Sequence, residues 1–252
     1  SFKIRGAINK IKNIDSDIIV TASAGNHAQG VAYSCNKLNK YGNIFVPETT
    51  PPQKIERIKF FGKENIKIHR FGKNFTQCLD KSLLYSKKNI HPFIHPFDDS
   101  DVINGQATVA YEIYQDIEPD IIICCVGGGG LISGISKYAK TINENVEIYG
   151  VESIGAASLY NSLKIGYNVK LNNIDTFVDG ASVAQIGNLN FNICKSLVNN
   201  VFTVSNERLC HELIYCYQND GIILEPAGAL SLCGLEQVDR LYKSKNKSLK
   251  DK

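Results

Sequence analysis

Short β-branched apolar runs alternate with longer amphipathic stretches along most of this chain, the pattern of parallel β/α units. Asp17 to Val20 predicts a strand and Asn26 to Lys37 the helix after it. Ile44 to Val46 predicts a second strand, followed by a helix that starts at Pro51-Pro52 and runs to Phe61, stopped by Gly62. Ile66 to Ile68 is a third strand, Thr76 to Lys88 a helix, and Pro92 to Ile94 a short fourth strand. Asp98, Asp99, Ser100 and Asp101 offer N-caps for a helix over Ile103 to Tyr114. Asp120 to Val126 predicts the strongest strand, apolar without a break from Ile121 and so expected to be central and buried on both faces. Leu131 to Lys140 (helix), Val146 to Val151 (strand), Ala156 to Leu163 (helix), Val201 to Val204 (strand) and Glu207 to Tyr217 (helix) follow, and a last helix begins near Pro226. The pattern restarts near residues 95–100, where a domain change is expected.

Composition narrows the class of function. The 28 basic and 25 acidic residues are well mixed and give a net charge of +3, with no basic stripe to argue for nucleic acid. The Lys-rich end from Lys243 to Lys252 reads as a solvated tail. None of the eight cysteines is spaced as C-x-x-C, and several fall on apolar faces, so buried free thiols in a reducing cytosol are expected rather than zinc or disulfides. His69, His91, His95 and His211 show no metal spacing, and no metal site is expected. No run approaches the roughly 18 apolar residues of a membrane span and no signal peptide leads the chain, so a cytoplasmic protein is expected. Methionine is absent even at position 1, which suggests a fragment or a trimmed chain.

Three segments carry candidate chemistry. Lys3 lies in Ser1-Phe2-Lys3-Ile4-Arg5-Gly6-Ala7, where Arg5 could help keep a nucleophilic amine neutral; a surface lysine is the plainer alternative. Ser23-Ala24-Gly25-Asn26-His27 is a strand-to-helix turn whose free N–H groups, with Ser23, suit a carboxylate, or it is an ordinary capped loop. Gly127 to Gly130, followed by Leu131, joins the most apolar strand to a helix, and its backbone can approach a phosphate closely. A dinucleotide is the rival ligand, with Glu152 as its ribose acid. However, the third glycine of G-x-G-x-x-G falls on Ile132 or Ser133. Glu225-Pro226-Ala227-Gly228-Ala229 reads equally as a plain helix start.

Together these segments resemble the threonine dehydratase family of fold type II pyridoxal phosphate enzymes, and the resemblance covers essentially the whole chain. It extends to Ile94-His95-Pro96-Phe97-Asp98-Asp99, Gly105-Gln106-Ala107-Thr108, Gly150-Val151-Glu152 and Phe177-Val178-Asp179-Gly180-Ala181. It implies a two-domain α/β fold, with residues 1–10 and 99–252 in a large cofactor domain and 11–98 in a small one. It further implies that Lys3 bonds covalently to the cofactor and then moves the substrate Cα proton, while Phe2 lies against the ring and Asn26 hydrogen-bonds its 3′-oxygen. Gly127, Gly128, Gly129, Gly130 and Leu131 would cradle the phosphate. Ser23, Ala24, Gly25, Asn26 and His27 would close on the carboxylate of an amino-acid substrate.

The implied reaction is dehydration of L-threonine to 2-oxobutanoate and ammonia, with L-serine giving pyruvate more slowly, in isoleucine biosynthesis or threonine catabolism, by a homo-oligomer. Two departures stand out: the family begins well before the lysine motif, and it continues beyond Lys252 to a serine that meets the pyridine nitrogen. On that reading the chain is the middle of a catalytic domain, and a non-catalytic remnant is the alternative of another class. Serine racemase is the rival within the family. Racemases carry a serine where this chain has Ala24, and their metal-site acid six residues beyond Glu152 is Ser158 here.

Overall fold

The structure, a computed structural model, describes residues 1–249. It divides into two units, Ser1–Gln106 and Ala107–Lys252.

The first unit is built on a three-stranded parallel sheet in the order β1 (Ile18–Ala22), β2 (Tyr41–Val46), β3 (Ile66–Arg70). Consecutive parallel strands need crossovers, and α2 (Asn26–Leu38) and α3 (Pro52–Gly62) supply them, followed by α4 (Phe75–Asn89). Asn74 caps α4 by accepting the Gln77 N–H at 3.0 Å. Before the sheet comes α1 (Lys3–Lys12), which packs with α2 in a core of Ala7, Ile11, Ile19, Val31, Ile44 and Ile58. The expected fourth strand is only a bridge from Phe93 to Val20. Pro92 has no N–H to give, so its carbonyl accepts from Val20 while the Ile94 N–H returns to the Val20 carbonyl.

The helix expected over Ile103 to Tyr114 is two helices, α5 (Ser100–Gln106) and α6 (Thr108–Asp116). Asp99 caps the first, its carboxylate accepting the N–H groups of Asp101 at 2.9 Å and Val102 at 3.2 Å. Helix α5 ends where Gly105 and Gln106 press on α1: a Cβ on Gly105 would lie 2.5 Å from the Arg5 carbonyl oxygen.

The second unit holds another parallel sheet, in the order β4 (Ile121–Cys125), β5 (Glu147–Ser153), β6 (Asn200–Val204). Here the expected central strand is corrected: β4 is at the edge among the described residues, and β5 is central. Only Ile122 and Cys124 of β4 are buried, while every residue of β5 after Glu147 is. Helix α7 (Gly130–Ile142) follows β4, and α8 (Ser158–Ile165), after a single 3₁₀ turn, follows β5. The alternation alone did not reveal α9 (Asn188–Leu197). Helix α10 (Asn206–Tyr215) runs into a π-turn at Cys216–Asp220, and α11 (Pro226–Ser244) closes the order. Of the expected Lys-rich tail, Lys243 still lies in α11, and residues 250–252 fall outside the described ones. The cysteines are all free, and Cys125 and Cys210 are the two that are not buried.

Candidate active site

Lys3 opens α1, in its first turn, where the chain leaves Phe2. Its Nζ donates to the Pro96 carbonyl at 2.8 Å and lies 5.4 Å from the Phe2 ring centre and 5.8 Å from that of Phe97. The loop bearing Pro96 is pinned on both sides. Ahead of it, the Ile94 carbonyl accepts from the Thr21 hydroxyl at 2.9 Å and lies 3.1 Å from His27 Nε2. Within it, His95 Nδ1 accepts the N–H groups of Asp98 at 2.8 Å and Phe97 at 3.3 Å. Burial lowers the His95 pKa, which keeps that nitrogen available as an acceptor.

Helix α2 crosses the start of α1 at Gly30, where a Cβ would lie 3.0 Å from Ile4 Cα and 3.3 Å from the Lys3 carbonyl carbon. That close crossing brings Lys3 together with the loop Ser23–His27. The loop is half-buried, and the Ser23 hydroxyl accepts the Gly25 N–H at 3.2 Å. Gly25, the residue before α2, supplies no side-chain cap to that helix, and a helix start is where a negative charge is favoured. Phe2, Lys3, Ser23, Ala24, Gly25 and Asn26 are all half-buried around this crossing.

His27 differs from its neighbours. Its ring is 3% exposed and turned inward to Thr21 and Ile94, leaving its backbone to the loop. With Nε2–H donating, Nδ1 is a buried lone pair with no hydrogen-bond partner. Burial, helped by the charge of Lys3, pushes its pKa down from 6.5 to about 3. Below pH 6.5 the unfolded chain therefore takes up a proton that the native state refuses. This contribution to stability is intact above pH 6.5 and is lost as pH falls towards 3, at up to ~1.4 kcal/mol per pH unit. Denaturant titrations between pH 7 and 4 should show a shallower slope for His27→Gln than for the parent; equal slopes would refute the assignment.

The glycine loop lies in the second unit, at the C-terminal end of β4, where open α/β sheets bind ligands. Gly129 has φ +89° and precedes α7 without a side-chain cap. A Cβ on Gly127 would lie 2.9 Å from Ala181 Cα, and one on Gly129 would lie 2.8 Å from both Asn190 Cβ and Ile186 Cδ1. The loop is thus a backbone surface with its N–H groups at a helix start, the arrangement that holds a phosphate. Leu131 is half-buried behind it.

Glu152 cannot act as a ribose acid. It is fully buried, and its two carboxylate oxygens accept the Leu159 N–H at 2.9 Å and the Tyr160 N–H at 2.7 Å, capping α8. Burial raises its pKa to about 7. Among the described residues no group of three or more His, Cys, Asp or Glu is placed to hold a metal ion, and no helix is long and apolar enough to cross a membrane.

Comparison with known proteins agrees with this geometry. The family model described as pyridoxal-phosphate dependent enzyme matches residues 1–249. The chain belongs to that family. It is 43% identical over 242 residues to the L-threonine dehydratase biosynthetic IlvA of Halalkalibacterium halodurans, covering 94% of this chain and 58% of that protein. The chain therefore spans under two thirds of the length of such curated relatives.

A solved threonine deaminase isoform 2 from Solanum lycopersicum superposes with a TM-score of 0.91 at 39% identity, covering 98% of this chain and 73% of that one. The serine racemase of Dictyostelium discoideum superposes at 0.87 with 32% identity, covering 98% and 80%. The fold is that of the fold type II pyridoxal phosphate enzymes, with parallel sheets flanked by helices. Pyridoxal phosphate is the family's cofactor, and the residues present fit it: a lysine amine beside an aromatic ring, and a glycine loop in which a Cβ at Gly127 or Gly129 would clash with its surroundings.

Proposed function

We propose that the chain carries the core of an L-threonine ammonia-lyase that releases 2-oxobutanoate and ammonia and acts more slowly on L-serine. The observation that supports it best is the crossing at Gly30, which packs the backbone of Lys3 and Ile4 against the helix that follows the Ser23–His27 loop. When bound, pyridoxal phosphate supplies the electron sink for charge developing at the substrate Cα. The chain supplies position and proton transfer. Gly127 to Leu131 would hold the cofactor's phosphate, Asn26 would meet its 3′-oxygen and Phe2 would lie against its ring. The substrate carboxylate accepts from the first N–H groups of α2 and from Ser23, which fixes Cα within reach of Lys3. Lys3 would hold the cofactor covalently at rest, and its amine would take the substrate Cα proton. The β-hydroxyl leaves with a proton as water, and the resulting enamine takes water back to give the 2-oxo acid and ammonia.

The same proposal places residues 1–10 and 99–252 in a cofactor domain and 11–98 in a substrate domain of a cytoplasmic homo-oligomer. Racemisation is the second reading, favoured by the likeness to a serine racemase. Against it stands Ala24, which carries no proton-bearing group for the opposite face of Cα.

The loop binds what all amino acids share, so selectivity rests on one methyl group, for which the small side chain of Ala24 would leave room. A hydrophobic site discriminates a methylene by about 1–3 kcal/mol, and kcat/KM for L-threonine should exceed that for L-serine by roughly ten-fold or more. Steady-state kinetics decide this; equal or reversed values would assign a serine dehydratase. D-Serine accumulating as fast as pyruvate, on chiral chromatography, would assign a racemase.

A further inference from the structure

We propose that Asn190 is a positioning residue for the glycine cradle, an inference that rests on Gly127 to Leu131 holding the phosphate. Asn190 is fully buried in the first turn of α9 and donates from Nδ2 to the Gly128 carbonyl at 3.0 Å. The same carbonyl accepts the Gly187 N–H at 3.2 Å. Two donors from one side therefore fix the direction of this oxygen.

The peptide bond joining Gly128 to Gly129 is trans and planar, so its C=O and N–H point in opposite directions. With the carbonyl held toward α9, the Gly129 N–H is turned away from α9, toward the mouth of the loop ahead of α7. Between two glycines that peptide has little steric resistance to flipping. A flipped peptide would present a carbonyl dipole to the phosphate and repel it. Asn190 Cβ also lies where a Cβ on Gly129 would go, so the residue sets both the position and the direction of the loop. The Gly187 turn is supported in its own right, because Asn168 Nδ2 donates to the Ile186 carbonyl at 2.9 Å. Asn190 is thus the adjustable donor of the pair.

The test separates phosphate binding from the rest of the cofactor. The full protein, Asn190→Leu (similar volume, no donor) and Asn190→Asp (same shape, no donor when ionised) are stripped of cofactor. Each is titrated with pyridoxal phosphate and with pyridoxal, which lacks the phosphate, following absorbance. ³¹P spectra of the bound cofactor provide a second readout. A lost buried hydrogen bond predicts that both variants bind pyridoxal phosphate about ten-fold or more weakly. Pyridoxal affinity should stay within about two-fold, and the ³¹P signal should move toward its free position.

Equal losses for both ligands, or no loss in either variant, would overturn the role of Asn190. Failure of both variants to fold would make Asn190 a purely structural residue and overturn it too. If the parent itself bound both ligands equally, the phosphate-cradle reading would fall first, and this inference with it.

Discussion

Lys3→Ala is expected to abolish turnover of L-threonine and the absorbance of lysine-bound cofactor while leaving the chain folded. Loss of proton transfer alone removes roughly 10²–10⁴-fold of rate, and loss of the covalent hold on the cofactor adds to it. Stability should fall little. The hydrogen bond from the half-exposed side chain to the Pro96 carbonyl is worth about 1 kcal/mol. Absorbance titration, a coupled assay for 2-oxobutanoate and thermal unfolding check the three parts. Near-parental release of 2-oxobutanoate would move the nucleophile elsewhere in the chain.

The second large effect is expected at Gly129→Val. At φ +89° an L residue costs about 1–2 kcal/mol. Its Cβ would also press at 2.8 Å on Asn190 and Ile186, and overpacking of that kind costs about 1–3 kcal/mol. Together this is a large share of the ~5–15 kcal/mol that holds an ordinary protein folded, so the variant should lose cofactor and melt at much lower temperature. Gly228→Ala in α11 is the control. Its added Cβ meets nothing closer than 3.8 Å, and alanine suits a helix better, so its melting temperature should stay level or rise. Similar melting of the two variants would show that the left-handed backbone at Gly129 is not what the loop requires.

The sequence revealed most where local chemistry and pattern agreed. Strands β1, β2, β3, β5 and β6 were expected within a few residues of where they lie, because each is a β-branched run flanked by turn residues. The three candidate segments stood out for another reason: a glycine run, a small-residue turn and a lysine in an unusual setting are visible without tertiary contacts.

What stayed hidden depends on partners distant in the chain. Helix α9 reads Asn-Leu-Asn-Phe-Asn-Ile-Cys-Lys, rich in weak helix formers, and is stabilised by burying Phe191 and Cys194. Asn190 therefore had no visible role. The break at Ala107 reflects the pressure of α1 on Gly105 and Gln106, a contact 100 residues apart between Gly6 and Gln106. The apolar run of β4 suggested a central strand, yet only alternate side chains are buried. Composition reports that a residue tolerates burial, and neighbours decide whether it is buried.

The glycine contacts around α1 have a kinetic consequence. Gly30 lies against the backbone of Lys3 and Ile4 on one side, and Gly105 lies against Arg5 and Gly6 on the other. The backbone root of Lys3 is therefore a fixed pivot, while its amine, four methylenes away, rests on the Pro96 carbonyl. Carrying the amine away from the Pro96 carbonyl then needs rotation about side-chain bonds. Such rotations occur on roughly picosecond-to-nanosecond timescales, against microseconds to milliseconds for collective motions. Rotation of this side chain would thus be too fast to limit turnover, leaving bond breaking, proton transfer included, or product departure to set the rate.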